Sequence, residues 1–250
     1  MNRVYLAILL SSTLGFGQTI KIACIGNSIT QHTNAATAYP AVLGKLLGSG
    51  YQVENDGVSG CTLLKKGDMP YWTRGKLANV FAFKPDIITI KLGTNDSKNY
   101  NWDGHKGEFA KDLKALVDTL GTMQKKPTIW LCFPVPAWPI NGEDKYGIRG
   151  TVIINEIIPL IRKVAEDNKL SIIDLHTPML EHKSFFKVDG VHPDDEGEDS
   201  IAHIIYRALK SPPTKIEMPG WSGQNAFTPN QGTASEAPTM LDVLGRLLPT

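Results

Sequence analysis

Four short segments carry the residue types that acyl transfer uses. Ser28 stands in GNSIT, Gly60 in NDGVSGCT, Asn95 in GTND, and Asp189 and His192 in DGVHP. A serine hydroxyl is a weak nucleophile until a neighbouring base takes its proton. His192 suits that role, since imidazole titrates near neutral pH. Asp189 precedes it across an Asp-Gly turn. That spacing can bring the carboxylate to the ring nitrogen facing away from the serine and hold the imidazole in one tautomer. The tetrahedral intermediate carries a negative oxygen that needs fixed donors. The Ser28 N–H, the Gly60 N–H and the Asn95 side-chain amide are the candidates. Taken singly, each residue has a plainer reading: Ser28 as a turn or helix-cap serine, Gly60 as a turn glycine, Asn95 as the cap of a turn, and DGVHP as a surface turn. Their joint occurrence, in order and after successive strands, favours a single nucleophilic site. The other histidines (His32, His105, His176, His182 and His203) have no carboxylate similarly placed in such a turn.

These segments need elements to position them. Apolar, β-branched runs at 19–25, 51–55, 86–92, 128–135 and 170–175 read as strands. Helical spacing of apolar residues marks 37–50, 108–123, 151–168 and 195–210. Pro159 should bend the third of these helices or mark its true start. The last has an acidic first turn and a basic last turn, matching the helix dipole. Strand and helix alternating in this way imply an α/β fold with a parallel sheet covered on both faces. The strands are unbroken apolar runs, as strands buried on both faces should be. Ligands of such sheets bind beyond the carboxyl ends of the strands, which is where the four segments fall.

The chain has 250 residues, 42% of them hydrophobic, enough for one sizeable α/β domain. With 26 basic and 25 acidic side chains it makes no electrostatic case for nucleic acid or an anionic membrane surface. At the N-terminus Arg3 precedes an apolar stretch from Val4 to Leu10, and Gly15-Phe16-Gly17 resembles a cleavage site. Residues 1–17 therefore read as a secretory signal peptide, which points to a secreted or periplasmic protein; a buried first strand is the alternative. No run is apolar and long enough for a membrane span. Of three cysteines, Cys24 and Cys132 sit in strand-like runs and Cys61 beside the candidate site. An odd count leaves at least one thiol unpaired. No C-x-x-C, H-E-x-x-H, dinucleotide or nucleotide-triphosphate motif occurs, nor a G-x-S-x-G elbow, so neither a metal nor a cofactor is expected. A domain over 18–210 is followed by a Pro/Gly/Ser-rich extension, 211–250, with the composition of an extended or disordered segment.

GNSIT, GVSG, GTND and DGVHP resemble, in order, the four blocks of the SGNH (GDSL-type) hydrolases. The similarity runs over roughly residues 19–210. It implies a flavodoxin-like three-layer α/β/α sandwich with a five-stranded parallel sheet, and metal-free ester hydrolysis through an acyl-enzyme. By motif, Ser28 resembles the nucleophile, His192 and Asp189 the base and its partner, and Ser28, Gly60 and Asn95 the oxyanion donors. The first block departs from the usual Gly-Asp-Ser-Leu, and Gly60 matches its block better than Gly57. The segments GVSGCTLLKKGDMPYW and KLGTNDSKNYNW are similar to those of bacterial sialate or carbohydrate O-acetylesterases. The substrate expectation is a short-chain, acetyl ester of a carbohydrate. The alternatives are a broader lipolytic esterase, thioesterase or lysophospholipase of the same fold, and a catalytically silent carbohydrate-binding protein. Tyr71, Trp72, Trp102 and Trp138 fall in loops after the strands, where their rings either stack on sugars or pack the loops onto the core.

Overall fold

The computed structural model describes residues 18–211. The expected signal peptide, and the extension beyond Ser211, lie outside the described residues. In chain order the elements are β1 (Ile20–Gly26), α1 (Ser28–Gln31), α2 (Tyr39–Leu47), β2 (Tyr51–Gly57), α3 (Lys76–Phe83) and β3 (Ile87–Lys91). There follow α4 (Asn99–His105), α5 (Phe109–Leu120), β4 (Thr128–Cys132), α6 (Gly150–Val152), α7 (Ile158–Asn168), β5 (Ser171–Ile173) and α8 (Asp195–Lys210). All strand pairs are parallel, in the order β2-β1-β3-β4-β5.

Alternation along the strands divides the core in two. Ala23, Ile25, Ile88 and Ile90 pack with Val80 of α3, Leu113 and Leu116 of α5 and Ile161 of α7. Ile22, Cys24, Trp130 and Cys132 point the other way, onto Tyr39 and Leu43 of α2 and Ile201 and Ile205 of α8. The result is the three-layer α/β/α sandwich with a five-stranded parallel sheet.

The helices end where local chemistry directs. Pro40 lies in the first turn of α2 and Gly48 ends it, so it is shorter than its apolar pattern. Pro159 sits in the first turn of α7, and a single π-helical turn, Ile153–Ile157, joins it to α6; the backbone stays helical across the junction, so the proline marks a local deformation of the helix rather than its start. Asp194 caps α8 by accepting the Gly197 N–H at 3.0 Å. Helices α3 and α4 were not evident in the sequence pattern. β4 stops at Cys132, two residues before Pro134, rather than at Val135.

In this strand order the chain winds outward in opposite directions from β1 and β3, leaving a crevice beyond their carboxyl ends. Ser28 follows β1, Gly60 follows β2 and Asn95 follows β3. Asp189 and His192 lie in the segment between β5 and α8. Segments far apart in the chain are thereby brought to one edge of the sheet.

Candidate active site

Ser28 is the first residue of α1, a single helical turn that starts as β1 ends. Asn27 caps the turn, its side-chain oxygen accepting the Ile29 N–H at 3.1 Å. The turn rests directly on the end of β2. A side chain at Gly57 would collide with the backbone of Thr30 and Gln31, so only glycine fits there. The Ser28 hydroxyl lies 3.0 Å from His192 Nε2, and His192 Nδ1 lies 2.8 Å from Asp189 Oδ2. The other carboxylate oxygen, Oδ1, accepts the backbone N–H groups of Val191 and His192, both at 2.9 Å. Burial alone would raise the Asp189 carboxyl. The two N–H groups and the imidazole outweigh it and hold the carboxyl below the usual aspartate range. Asp189 is therefore an acceptor near neutral pH. His192 Nδ1 carries the proton toward it, and Nε2 is left to accept from the Ser28 hydroxyl.

Ser28, Gly60 and Asn95 line one cleft of about 720 Å³ together with Asp189 and His192. As the first residue of a helix, Ser28 has an N–H with no intrahelical acceptor. Gly60 adopts a left-handed φ of +77°, and its N–H takes part in no hydrogen bond among the described residues. Gly57 lies instead within the β2–α1 contact. Asn95 is buried, and its amide donates one proton to the Cys61 carbonyl at 3.1 Å, which leaves a second N–H. Its neighbour Asp96 fixes the distance between the second and third segments. Fully buried, Asp96 accepts the N–H groups of Leu63 (3.0 Å) and Leu64 (2.7 Å), and burial pushes its carboxyl up to about 6. It carries no sequence signal beyond its place in GTND.

The expected aromatic rim is corrected by the structure. None of Tyr71, Trp72, Trp102 and Trp138 lines the cleft. Tyr71 and Trp102 are each 1% exposed. The Tyr71 hydroxyl donates to the Asp56 carbonyl at 2.8 Å; the Trp102 indole donates to Glu156 at 2.9 Å and packs edge-on against Phe109. Trp72 donates to the Leu63 carbonyl at 3.0 Å, with Lys65 over its ring. Trp138 packs edge-on against Phe186. These rings pack the segments after the strands onto the two faces of the main core: Tyr71, Trp72 and Trp102 on one side, Trp138 on the other. The aromatic side chain that does line the cleft is Tyr146. All three cysteines are unpaired and buried, and burial raises the thiols of Cys24 and Cys132 to about 12 and of Cys61 to about 11. Thiols held protonated in this way are poor nucleophiles.

Behind Ser28 lies a buried charged group that sequence spacing gave no means of finding. His32, directly after α1, has ring nitrogens 3.4 Å from Glu198 and 3.5 Å from Asp195, both on the first turn of α8. So His32 does have carboxylate partners, contributed by a helix remote in the chain. Glu198 is fully buried and also accepts the Tyr39 N–H at 2.7 Å. Its hydrogen bond and charge raise the His32 imidazole above its ordinary value against the effect of burial. Lys91, at the end of β3, is buried on the same side of the sheet. Desolvation lowers its ammonium to about 8, with the charge of Glu198 acting against that. Among the described residues no group of three or more His, Cys, Asp or Glu side chains is gathered as a metal ion would require. No helix among them is long and apolar enough to cross a membrane.

Comparison with known proteins agrees with this architecture. The chain is 42% identical over 212 residues to an acetylxylan esterase of Xylanibacter ruminicola, a match covering 76% of this chain and 43% of the relative. It thus spans less than half the length of that curated relative. Among solved structures, a carbohydrate acetylesterase family member from Sinorhizobium meliloti superposes with a TM-score of 0.60 at 21% identity, covering 76% of this chain and 97% of the other. The M. smegmatis aryl esterase superposes with a TM-score of 0.62 at 18% identity, covering 76% and 98%. At these identities the structural likeness speaks to fold. The sequence profile of the GDSL-like lipase/acylhydrolase family matches residues 24–199. With that match spanning most of the chain, and with the four sequence blocks meeting at the carboxyl edge of the sheet, the protein belongs to the GDSL-like lipase/acylhydrolase family.

Proposed function

We propose that this protein is a serine esterase that removes short acyl groups, acetyl foremost, from carbohydrates. The observation that carries the reading is the continuous chain from Ser28 Oγ through His192 to Asp189, at 3.0 and 2.8 Å. The ester carbonyl enters with its oxygen toward the Ser28 and Gly60 N–H groups and the Asn95 amide. Ser28 Oγ bonds to the carbonyl carbon as its proton passes to His192 Nε2. The imidazolium so formed faces an ionised Asp189, which favours it. The oxyanion meets donors already in place, so little reorganisation accompanies the charge. His192 then returns the proton to the sugar oxygen, the C–O bond breaks, and the alcohol leaves acyl-Ser28. Water, deprotonated by the same imidazole, attacks the acyl carbon, and acetate and free Ser28 result.

The carbohydrate part of the reading is supported by the relative named as an acetylxylan esterase and by the neighbouring fold named as a carbohydrate acetylesterase. The cleft, about 720 Å³ and open to solvent beside Gln31, Lys98 and Tyr146, is of a size that suits a sugar ester. The pattern of residues 1–17 supports an exported protein; fractionation of cells expressing the full chain should find it outside the cytoplasm and shortened at its N-terminus. The function is tested by acetate release from acetylated xylo-oligosaccharides, beside 4-nitrophenyl esters of increasing chain length. Release of acetate by wild type and not by Ser28→Ala, with rates falling as the acyl chain lengthens, is the expected result. Rates that climb toward long acyl chains would contradict it.

A further inference from the structure

The loop joining β4 to α6 is fastened at both ends to parts of the site. Near its start, the Trp138 N–H donates to the Gly190 carbonyl at 3.0 Å, inside the Asp189–His192 turn. Ile140 and Glu143 then exchange backbone hydrogen bonds at 2.9 and 3.1 Å and close a tight turn. At its far end, the Arg149 N–H donates to Ser97 Oγ at 3.0 Å and the Arg149 guanidinium to the Ser97 carbonyl at 2.6 Å, two residues after Asn95. Between these anchors Tyr146 is held at φ 56°, ψ 15°. An aromatic residue seldom adopts this left-handed conformation, and it persists only where the surroundings impose it. The outcome is a ring edge-on to the His192 imidazole, centroids 5.6 Å apart, yet 64% exposed and facing the cleft. A tyrosine merely filling space would be covered. This one is braced from both sides and left open.

Its side of the cleft is informative. The acyl oxygen must point at Ser28, Gly60 and Asn95, whereas the departing alcohol must lie within reach of the imidazole that protonates it. Tyr146 borders His192, so it borders the alcohol. The C–H face of a pyranose is apolar and flat, and it matches the electron-rich face of an exposed aromatic ring. We propose that Tyr146 is the stacking platform for the sugar that carries the ester, and so sets the preference for carbohydrate over simple alcohol esters. The proposal rests on the carbohydrate-esterase reading above.

The test compares kcat/KM on an acetylated methyl xyloside with kcat/KM on ethyl acetate, which has no ring to stack, for wild type, Tyr146→Phe and Tyr146→Asn. Asparagine tolerates the left-handed backbone, so Tyr146→Asn removes the ring and keeps the loop. The ratio of the two values should fall about 3- to 10-fold in Tyr146→Asn, through KM on the sugar ester, as loss of one aromatic contact implies. Tyr146→Phe should hold the ratio. An unchanged ratio in a folded Tyr146→Asn protein overturns the platform, as does an equal fall in Tyr146→Phe, which would assign the effect to the hydroxyl. Wild-type hydrolysis of ethyl acetate with none of any sugar ester would overturn the carbohydrate reading and this inference with it, a result distinct from the other two.

Discussion

Ser28 Oγ and His192 Nε2 lie 3.0 Å apart although 164 residues separate them in the chain. The contact exists because β1, an interior strand of the sheet, ends in a capped turn, while the turn before α8 folds back over the same edge. Asp189 completes the set, its Oδ1 held by two backbone N–H groups and its Oδ2 free for the imidazole.

Asp189→Asn should therefore leave the protein folded but present an amide to Nδ1, favouring the wrong tautomer. A fall in kcat on the order of 10³- to 10⁴-fold is expected on 4-nitrophenyl acetate. The carboxyl is held below its ordinary range in the fold, so its stabilising effect is present above the unfolded aspartate value of about 3.9 and is lost as pH falls through the folded one. The gap in Tm between wild type and Asp189→Asn should accordingly close below about pH 4. A gap that widens on acidification would contradict the assignment.

In the proposed mechanism, Asn95→Ala removes one donor to the developing oxyanion. Its kcat should drop by roughly 10²- to 10³-fold with KM little changed, since the loss is felt mainly in the transition state. Steady-state kinetics with a folded variant decide the matter; an unchanged kcat would remove Asn95 from the site.

Asp96→Ala leaves the buried N–H groups of Leu63 and Leu64 without acceptors. Urea unfolding should show a loss of about 1–3 kcal/mol for each. The segment carrying Gly60 would also shift relative to Asn95, so kcat should fall as well. Asp96→Asn, which retains one acceptor oxygen, should be intermediate in both measures.

Glu198→Gln keeps an acceptor for the Tyr39 N–H but removes the charge facing His32 and Lys91. Breaking one side of a buried charged group costs about 3–5 kcal/mol. His32 has a raised value in the fold, so the stability from its pairing is fully present below its unfolded value of about 6.5 and is lost as pH rises through the folded one. Asp195 and Lys187 also act on this imidazole, with opposite signs. The Tm difference between wild type and Glu198→Gln should be largest near pH 6 and shrink toward pH 9. A difference independent of pH would mean that His32 is not charged in the native protein.

The strands were legible because apolar β-branched runs have few other destinations, and the blocks that follow them could be assigned in order. Helix α4 was not legible. Its sequence, NYNWDGH, has no apolar stripe and poor helix formers; it is held by tertiary contacts, Trp102 to Glu156 at 2.9 Å and Asn101 to Asp68 at 2.9 Å. The aromatic residues misled for a related reason. Tyr71 and Trp102 stand in segments whose sequence reads as loop, and loops are generally exposed, but Tyr71 lies in a short helical turn and Trp102 in α4, and both rings are buried in the core on one face of the sheet. Tyr146 sits in a stretch with no apolar pattern, and only the anchoring at Gly190 and Ser97 brings it beside His192. The His32–Glu198 pair joins residues from opposite ends of the domain, which local spacing cannot reveal.

The nucleophilic role of Ser28 is tested most directly with diethyl 4-nitrophenyl phosphate. A base-activated serine captures its phosphoryl group as 4-nitrophenolate leaves. Intact-mass measurement and peptide mapping should find one diethylphosphoryl group, on Ser28, in proportion to the activity lost, and none on Ser28→Ala or His192→Ala. Label on another residue in step with inactivation, or undiminished acetate release by Ser28→Ala, would contradict the account.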